Sequence, residues 1–191
     1  MKNYYEINTD KYIKETFNTD MSNLYNFFEK HLSGSKIKIL DIGFGSGRDS
    51  LYFQNKEYDV YSLEPLKEFC EHGRRIGLKN ILNISAYEIE FVEEFDAIWA
   101  CASLLHIPST RIIEVFNKCY KSLKHNGIMY CSFKYGCFEG EIDGRYFLYL
   151  NELKLQEIIK STNFNILEIS VTQDLNGRTN TSWLNIILAK F

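Results

Sequence analysis

The stretch Asp41-Ile42-Gly43-Phe44-Gly45-Ser46-Gly47-Arg48-Asp49 sets three glycines at alternate positions behind a carboxylate. Glycine tolerates positive φ and lets the backbone approach a ligand closely, and a helix beginning here would offer unpaired N–H groups to an anionic group. The run before it, KIKILDIG (36–43), is short, apolar and β-branched, which predicts a buried strand ending at Asp41. Arg48 occupies the position where a dinucleotide-binding G-x-G-x-x-G would need its third glycine, and no Lys-Ser/Thr of a P-loop follows. A second run, YDVYSLE (58–64), ends in Glu64, where a carboxylate can accept hydrogen bonds from the vicinal hydroxyls of a ribose. A glycine turn and an acid at the ends of successive strands imply a ligand of adenosine type.

In open α/β sheets ligands lie outside the carboxyl ends of the strands, so the other strand ends are the next candidates. FDAIWACAS (95–103) leads into Leu104-Leu105-His106-Ile107-Pro108. Imidazole titrates near neutrality, which makes His106 the best-placed general base; a loop histidine hydrogen-bonded to backbone is the alternative use. Lys134 and Tyr135 close the run GIMYCSFKY (127–135) and are expected to face the same crevice. Arg145, Tyr146 and Phe147 follow a polar segment, EGEIDGR (139–145), read as a turn that folds over the site. Arg145 either grips an anionic ligand through both arms of its guanidinium or stands solvated beside Asp143.

These residues need a scaffold, and the chain supplies alternating strand and helix signals. GRDSLYFQNK (47–56), PLKEFCEHGRRIG (65–77, Pro65 in the first turn) and STRIIEVFNKCYKSLK (109–124, ending near Asn126-Gly127) read as helices. ILNIS (81–85) adds a strand. Such units predict right-handed crossovers and a parallel, doubly wound sheet. The tail adds a helix, ELKLQEIIKS (152–161), and two strands joined by the turn LNGRTN (175–180), a terminal antiparallel hairpin. Residues 7–32 read as a leading helical segment, with Asp20 as a cap and Leu24, Phe27, Phe28 and Leu32 on one stripe. Tyr4, Tyr5, Tyr12 and Phe17 make this segment aromatic: it either lids the site or packs as an extra helix.

ILDIGFGSG, YSLEP, FDAIWACASLLHIP and HNGIMYCSFKYG, in this order, resemble the class I S-adenosylmethionine-dependent methyltransferases, and within them the small bacterial tellurite-resistance-like and generic methyltransferase-domain group. The resemblance spans about residues 36–190. It implies a Rossmann-like seven-stranded sheet of order 3-2-1-4-5-7-6 with strand 7 antiparallel and helices on both faces. It also implies S-adenosylmethionine as cofactor and S-adenosylhomocysteine as product. Carried over by motif position, Asp41, Gly43, Gly45 and Gly47 would hold the methionine part, Glu64 the ribose, and Ser85, Ala86 and Tyr87 the adenine. Phe44, Arg48, Asp49, Pro65, Cys101, Ala102 and Ser103 complete the expected cofactor contacts. Many relatives carry an acid where Ser85 stands, which moves the adenine contact to Glu88 or a backbone carbonyl. His106, Tyr135 and Arg145 are the expected catalytic residues. The strand-four end lacks both the Pro-Pro-aromatic signature of amino-directed nucleic acid methyltransferases and the Pro-Cys of cytosine C5 enzymes, so Cys101 is a poor covalent nucleophile.

Composition bounds these readings. A chain of 191 residues, 45% hydrophobic, with 14 Phe, 13 Tyr and 2 Pro, is one ordered domain: residues 1–35 as extension or lid, 36–191 as cofactor-binding core. The net charge of −3 provides no general field for a phosphate backbone and disfavours nucleic acid. No window approaches the roughly 18 apolar residues of a membrane helix, so a cytoplasmic location without a membrane partner is expected. The five cysteines lack CxxC spacing, and neither disulfides nor a metal site is indicated. A small-molecule acceptor is therefore the leading expectation. The rivals are RNA methylation, a non-catalytic cofactor-binding module, and a nicotinamide dehydrogenase, which Arg48 weakens.

Overall fold

A computed structural model describes residues 4–175, 177 and 181–191. Its main sheet contains β1 (Lys38–Ile42), β2 (Asp59–Leu63), β3 (Asn80–Leu82), β4 (Phe95–Ala100), β5 (Leu123–Lys134), β8 (Asn165–Gln173) and β9 (Ser182–Ala189) in the order β3-β2-β1-β4-β5-β9-β8. The first five are parallel, and β9 runs antiparallel to both β5 and β8. β6 (Glu139–Ile142) and β7 (Arg145–Leu148) form a separate antiparallel ribbon. Leaving the ribbon out of the count, the order is the 3-2-1-4-5-7-6 that the resemblance implies.

Helices on both faces explain why the central strands are apolar throughout rather than alternating. On one face Leu24, Tyr25 and Phe28 of α2 (Ser22–Glu29) and Phe53 of α3 (Arg48–Asn55) pack on Ile39, Trp99, Tyr130 and Ile187. On the other, α5 (Ser109–Ser122) lays Ile112, Val115, Phe116 and Cys119, spaced as one helical stripe, on Leu40, Ile98 and Met129. Leu155 and Ile159 of α6 (Glu152–Ile159) join that layer. A smaller cluster of Phe44, Phe69, Cys70 and Leu78 lies beneath α4 (Lys67–Arg75), and Tyr5 and Tyr12 of α1 (Tyr4–Thr16) pack against it.

Several boundaries differ from the sequence reading. The leading segment is two helices, and the Asp20 carboxylate accepts the Ser22 N–H at 2.9 Å, so the cap acts on α2 alone. Pro65 precedes α4 instead of opening it, with Leu66 at the cap position. α5 stops at Ser122, and Asn126-Gly127 falls inside β5, where Asn126 takes φ 63° and a Cβ on Gly127 would meet the Lys124 carbonyl at 2.8 Å. β5 slips register here, pairing Leu123 with Phe95 but Ile128 with Ala97, so the Asn-Gly marks a bulge rather than a helix end. β4 ends at Ala100 because Ala102 takes φ 51°. The expected polar turn at 139–145 is the β6–β7 ribbon, closed by Asp143-Gly144 with φ 51° and 71°, as a two-residue hairpin requires. Of the turn LNGRTN, residues 176 and 178–180 lie outside the described residues. Among the described residues no helix is long and apolar enough to cross a membrane.

Candidate active site

The carboxyl ends of β1, β2 and β4 open into a cleft of about 340 Å³ lined by Gly43, Gly45, Glu64, Pro65, Ser85, Ala86, Tyr87, Ala102, Ser103 and His106. The turn after β1 keeps it open. Gly43, Gly45 and Gly47 have φ of 72°, 52° and 80°, and a Cβ on Gly43 would approach that of Ser103 to 2.6 Å. Glu64 is only 6% exposed, and its two carboxylate oxygens accept N–H groups from Gly45 and Leu66, both at 3.1 Å. Burial pushes its pKa up to about 7 against the pull of those two bonds. A carboxylate with two weak donors in a largely apolar cleft favours a ligand that brings hydroxyls. The Ser103 hydroxyl is buried beside it with no hydrogen-bond partner among the described residues.

A second chamber of about 160 Å³ adjoins the first; Tyr5, Tyr12, Ala102 and His106 line both. It lies beneath α1 and over the ends of β5 and β9, with Cys101, Ser132, Lys134, Arg145, Phe147 and Trp183 in its wall. His106 stands between the chambers. Its Nδ1 lies 2.7 Å from the Tyr146 carbonyl, which can only accept, so Nδ1 carries a proton and Nε2 accepts from the Tyr5 hydroxyl at 2.8 Å. Burial holds this imidazole below its ordinary pKa, helped by the Arg145 and Lys134 charges and opposed by the Tyr146 bond. Of the two uses considered for His106, the structure shows the backbone-bonded one, with the second nitrogen occupied by the Tyr5 hydroxyl.

Other expected site residues serve the site from behind. Asp49 is buried and accepts Tyr25 Oη (2.6 Å), Trp99 Nε1 (2.9 Å) and Arg48 through Nε (2.6 Å) and Nη2 (2.9 Å). Burial would raise its pKa, but the Arg48 guanidinium and these hydrogen bonds hold it below the usual carboxylate range. Asp41, which accepts the Ser50 hydroxyl at 2.6 Å, is pushed up to about 8 by burial and by the Asp49 charge. Asp41, Phe44, Gly47 and Asp49 line neither chamber, and Arg48 reaches only the second. Phe44 belongs to the small cluster under α4, and Gly47 caps α3 with Ile76 close above it. In this structure these five stand behind the turn and support it.

Tyr135 also stands apart from the two chambers. It is 41% exposed, its hydroxyl donates to Glu152 at 3.0 Å, and it lines neither chamber. Cys101 lines the second chamber, and burial, with the Asp49 charge, raises its thiol to about 12, consistent with an unreactive cysteine. Ser85 and Glu88 form a reciprocal cap: the carboxylate accepts the Ser85 N–H at 2.8 Å and its hydroxyl at 2.7 Å. Glu88 is thereby turned to a local task. Sequence reasoning missed Leu66, Phe69, Ser132, Trp183 and Asn185, all of which line the chambers. Ser132 and Asn185 had a legible signal, each being a lone polar residue in an apolar strand. The Ser132 hydroxyl accepts the Ala102 N–H at 2.8 Å, holding that residue in its left-handed conformation.

Residues 39–127 match a family model described as a methyltransferase domain, the segment that supplies β1 through β4 and the glycine turn. No curated protein sequence matches the chain. Among solved structures, the Burkholderia thailandensis 1,6-didemethyltoxoflavin-N1-methyltransferase, bound to 1,6-didemethyltoxoflavin and S-adenosylhomocysteine, is 19% identical with a TM-score of 0.79, over 97% of this chain and 83% of that one. A Methanosarcina mazei SAM-dependent methyltransferase is 19% identical with a TM-score of 0.75, over 87% and 98%. The cyclase SpnF, 14% identical, has a TM-score of 0.75 over 97% and 93%. The family match, over somewhat less than half of the chain, falls on the residues that build the cleft, and the fold of the chain is similar to that of these methyltransferase structures.

Proposed function

We propose that the protein methylates a small-molecule acceptor, with the cofactor in the larger cleft and the acceptor in the smaller chamber beneath α1. The observation that carries this reading is Glu64, a buried carboxylate at the end of β2 that lacks donors other than two N–H groups and opens onto a cleft of ligand size. S-Adenosylmethionine supplies an activated methyl group, so the protein's work is alignment and the exclusion of water. Glu64 would accept the ribose hydroxyls, the Ser103 hydroxyl would find its missing partner on the ligand, and Gly43 and Gly45 would admit its close approach. Pro65, Leu66, Ala86, Tyr87 and Ile107 form an apolar slot suited to the adenine ring. His106 Nε2 is the proton acceptor for an acceptor that must lose one, once the Tyr5 hydroxyl yields its place. Residues 1–35, through α1, act as the lid of a core spanning 36–191. The chamber's size and its closure by α1 favour a small molecule over RNA, as does the net charge of −3.

Calorimetry with S-adenosylhomocysteine tests the cofactor half. Wild type should bind, and Glu64→Gln should lose at least tenfold in affinity, since a hydrogen bond to a charged group contributes about 1.5–3 kcal/mol. Because Glu64 must be ionised to accept two hydroxyls and its pKa is about 7, affinity should rise as pH increases through 7. Absence of binding, or a Glu64→Gln variant that binds like wild type, overturns the assignment. A labelled-methyl screen against fractionated metabolites, with RNA in parallel, tests the acceptor half; label in RNA alone would reject it.

A further inference from the structure

Four of the half-buried or buried cations of this protein are paired with carboxylates, and Lys118 donates to the Ile89 carbonyl. Arg48 holds Asp49, Lys38 holds Glu94, Lys124 holds Asp96 and Lys190 holds Glu93. Lys134 and Arg145 are the exceptions in the wall of the smaller chamber: neither has a carboxylate within ion-pair distance among the described residues. Phenol hydroxyls and aromatic faces hold them instead: Lys134 Nζ donates to the Tyr149 hydroxyl at 3.2 Å, and Arg145 donates to the Tyr5 hydroxyl. The Arg145 guanidinium stands 4.0 Å from the Tyr4 ring centroid and 5.1 Å from that of Phe147, and Lys134 Nζ stands 4.3 Å from that same Phe147 centroid. The Arg145 Nε is buried and has no acceptor among the described residues. The acids in the chamber wall are engaged, Glu15 facing Lys11 at 4.0 Å and Asp174 accepting the Trp183 indole N–H at 2.9 Å. Two half-buried cations against one ring, with no carboxylate partner and an unsatisfied N–H, form a site that suits an anion.

We propose that the smaller chamber selects a methyl acceptor carrying a carboxylate, bound between Arg145 and Lys134, on a body about the size of one ring. The size follows from the volume: about 160 Å³ resembles a cavity of roughly 150 Å³, which holds a benzene molecule. The planar fork of Arg145 suits a carboxylate bound through both oxygens, and Phe147 and Trp183 provide apolar walls for the ring. His106, kept neutral, is compatible with an anionic neighbour. This inference rests on the assignment of the smaller chamber to the acceptor.

The test uses benzoate, 2-hydroxybenzoate, 4-hydroxybenzoate and nicotinate, each against its own amide, with binding followed by ligand-observed NMR with and without S-adenosylhomocysteine. At least one acid should bind ten times more tightly than its amide. Arg145→Gln and Lys134→Gln should each bring acid and amide to within twofold while S-adenosylhomocysteine affinity and the melting temperature stay near wild type. Amides that bind as well as acids, no acid binding at millimolar concentration, or an acid preference surviving both substitutions overturns the proposal. Failure to bind S-adenosylhomocysteine would instead reject the cofactor assignment, which the acid and amide arms without it do not depend on.

Discussion

Asp41 and Asp49 flank the glycine turn, both buried, yet their surroundings shift them in opposite directions. Asp49 is held below the usual carboxylate range because Arg48, Tyr25 and Trp99 all donate to it; Asp41 is pushed up by burial and by the Asp49 charge. Substitution should separate them. Asp41→Asn replaces a neutral acid by a neutral amide that can still accept from Ser50, and at pH 7 should cost no more than about 1 kcal/mol. Asp49→Asn strands the Arg48 guanidinium and should cost about 3–5 kcal/mol, the usual result of breaking a buried pair. Urea unfolding of the two variants checks this, and the reverse order would show the charge assignment to be wrong. In the sequence both aspartates look like ligand contacts, because motif spacing reveals which residues neighbour the turn but not which way their side chains face. Glu64 was legible for the converse reason: an acid at a strand end has only the crevice or the next helix to face, and it faces both.

The elements that shape the larger cleft were the more legible ones, since β1 and β4 are covered on both faces and read as unbroken apolar runs. The elements over the smaller chamber were harder. No Gly or Pro separates α1 from α2, so Asp20 is the local signal of the break at 17–21, and four alternating residues in β6 look like a polar turn. The Asp143-Gly144 pair was the readable clue to the ribbon that carries Arg145. α1 is held mainly by ligand-facing residues: Tyr12 covers Gly45, with its ring 3.1 Å from where a Cβ would sit, and Tyr5 reaches His106. Only Thr16 of this helix is buried outright. A helix with so little buried surface should open easily without ligand. Amides of Tyr4–Thr16 should therefore exchange hydrogen at least tenfold more slowly with S-adenosylhomocysteine bound than without it. Equal exchange in both states would show that α1 is a fixed layer of the fold and not a lid.

For the molecule as a whole, the same buried acids set how stability depends on pH. Asp41 and Glu64 have folded pKa values of about 8 and 7, above their ordinary values of 3.8 and 4.5, so the folded state binds more protons than the unfolded chain between those limits. Stability attributable to them falls as pH rises through that window. His106 and His72, both held below 6.5 by burial, act in the opposite sense: they cost stability as pH drops below 6.5. The paired carboxylates Asp49, Glu139 and Glu168, held below their usual values, lose their contribution only at still lower pH. From pH 6.5, the ordinary midpoint of histidine, up to 8 the two histidines regain less stability than the two raised acids lose. The ligand-free protein should therefore have a lower melting temperature at pH 8 than at 6.5, by a few degrees. Asp41→Asn should remove most of that fall, since Asp41 titrates last. S-Adenosylhomocysteine, by giving the ionised Glu64 its hydroxyl donors, should stabilise the protein more at pH 8 than at 6.5. Scanning calorimetry at the two pH values tests this: a wild-type melting temperature that rises from 6.5 to 8 would mean that Asp41 and Glu64 are ionised and solvated at neutral pH, and that the cleft is not the dry site the proposed methyl transfer requires.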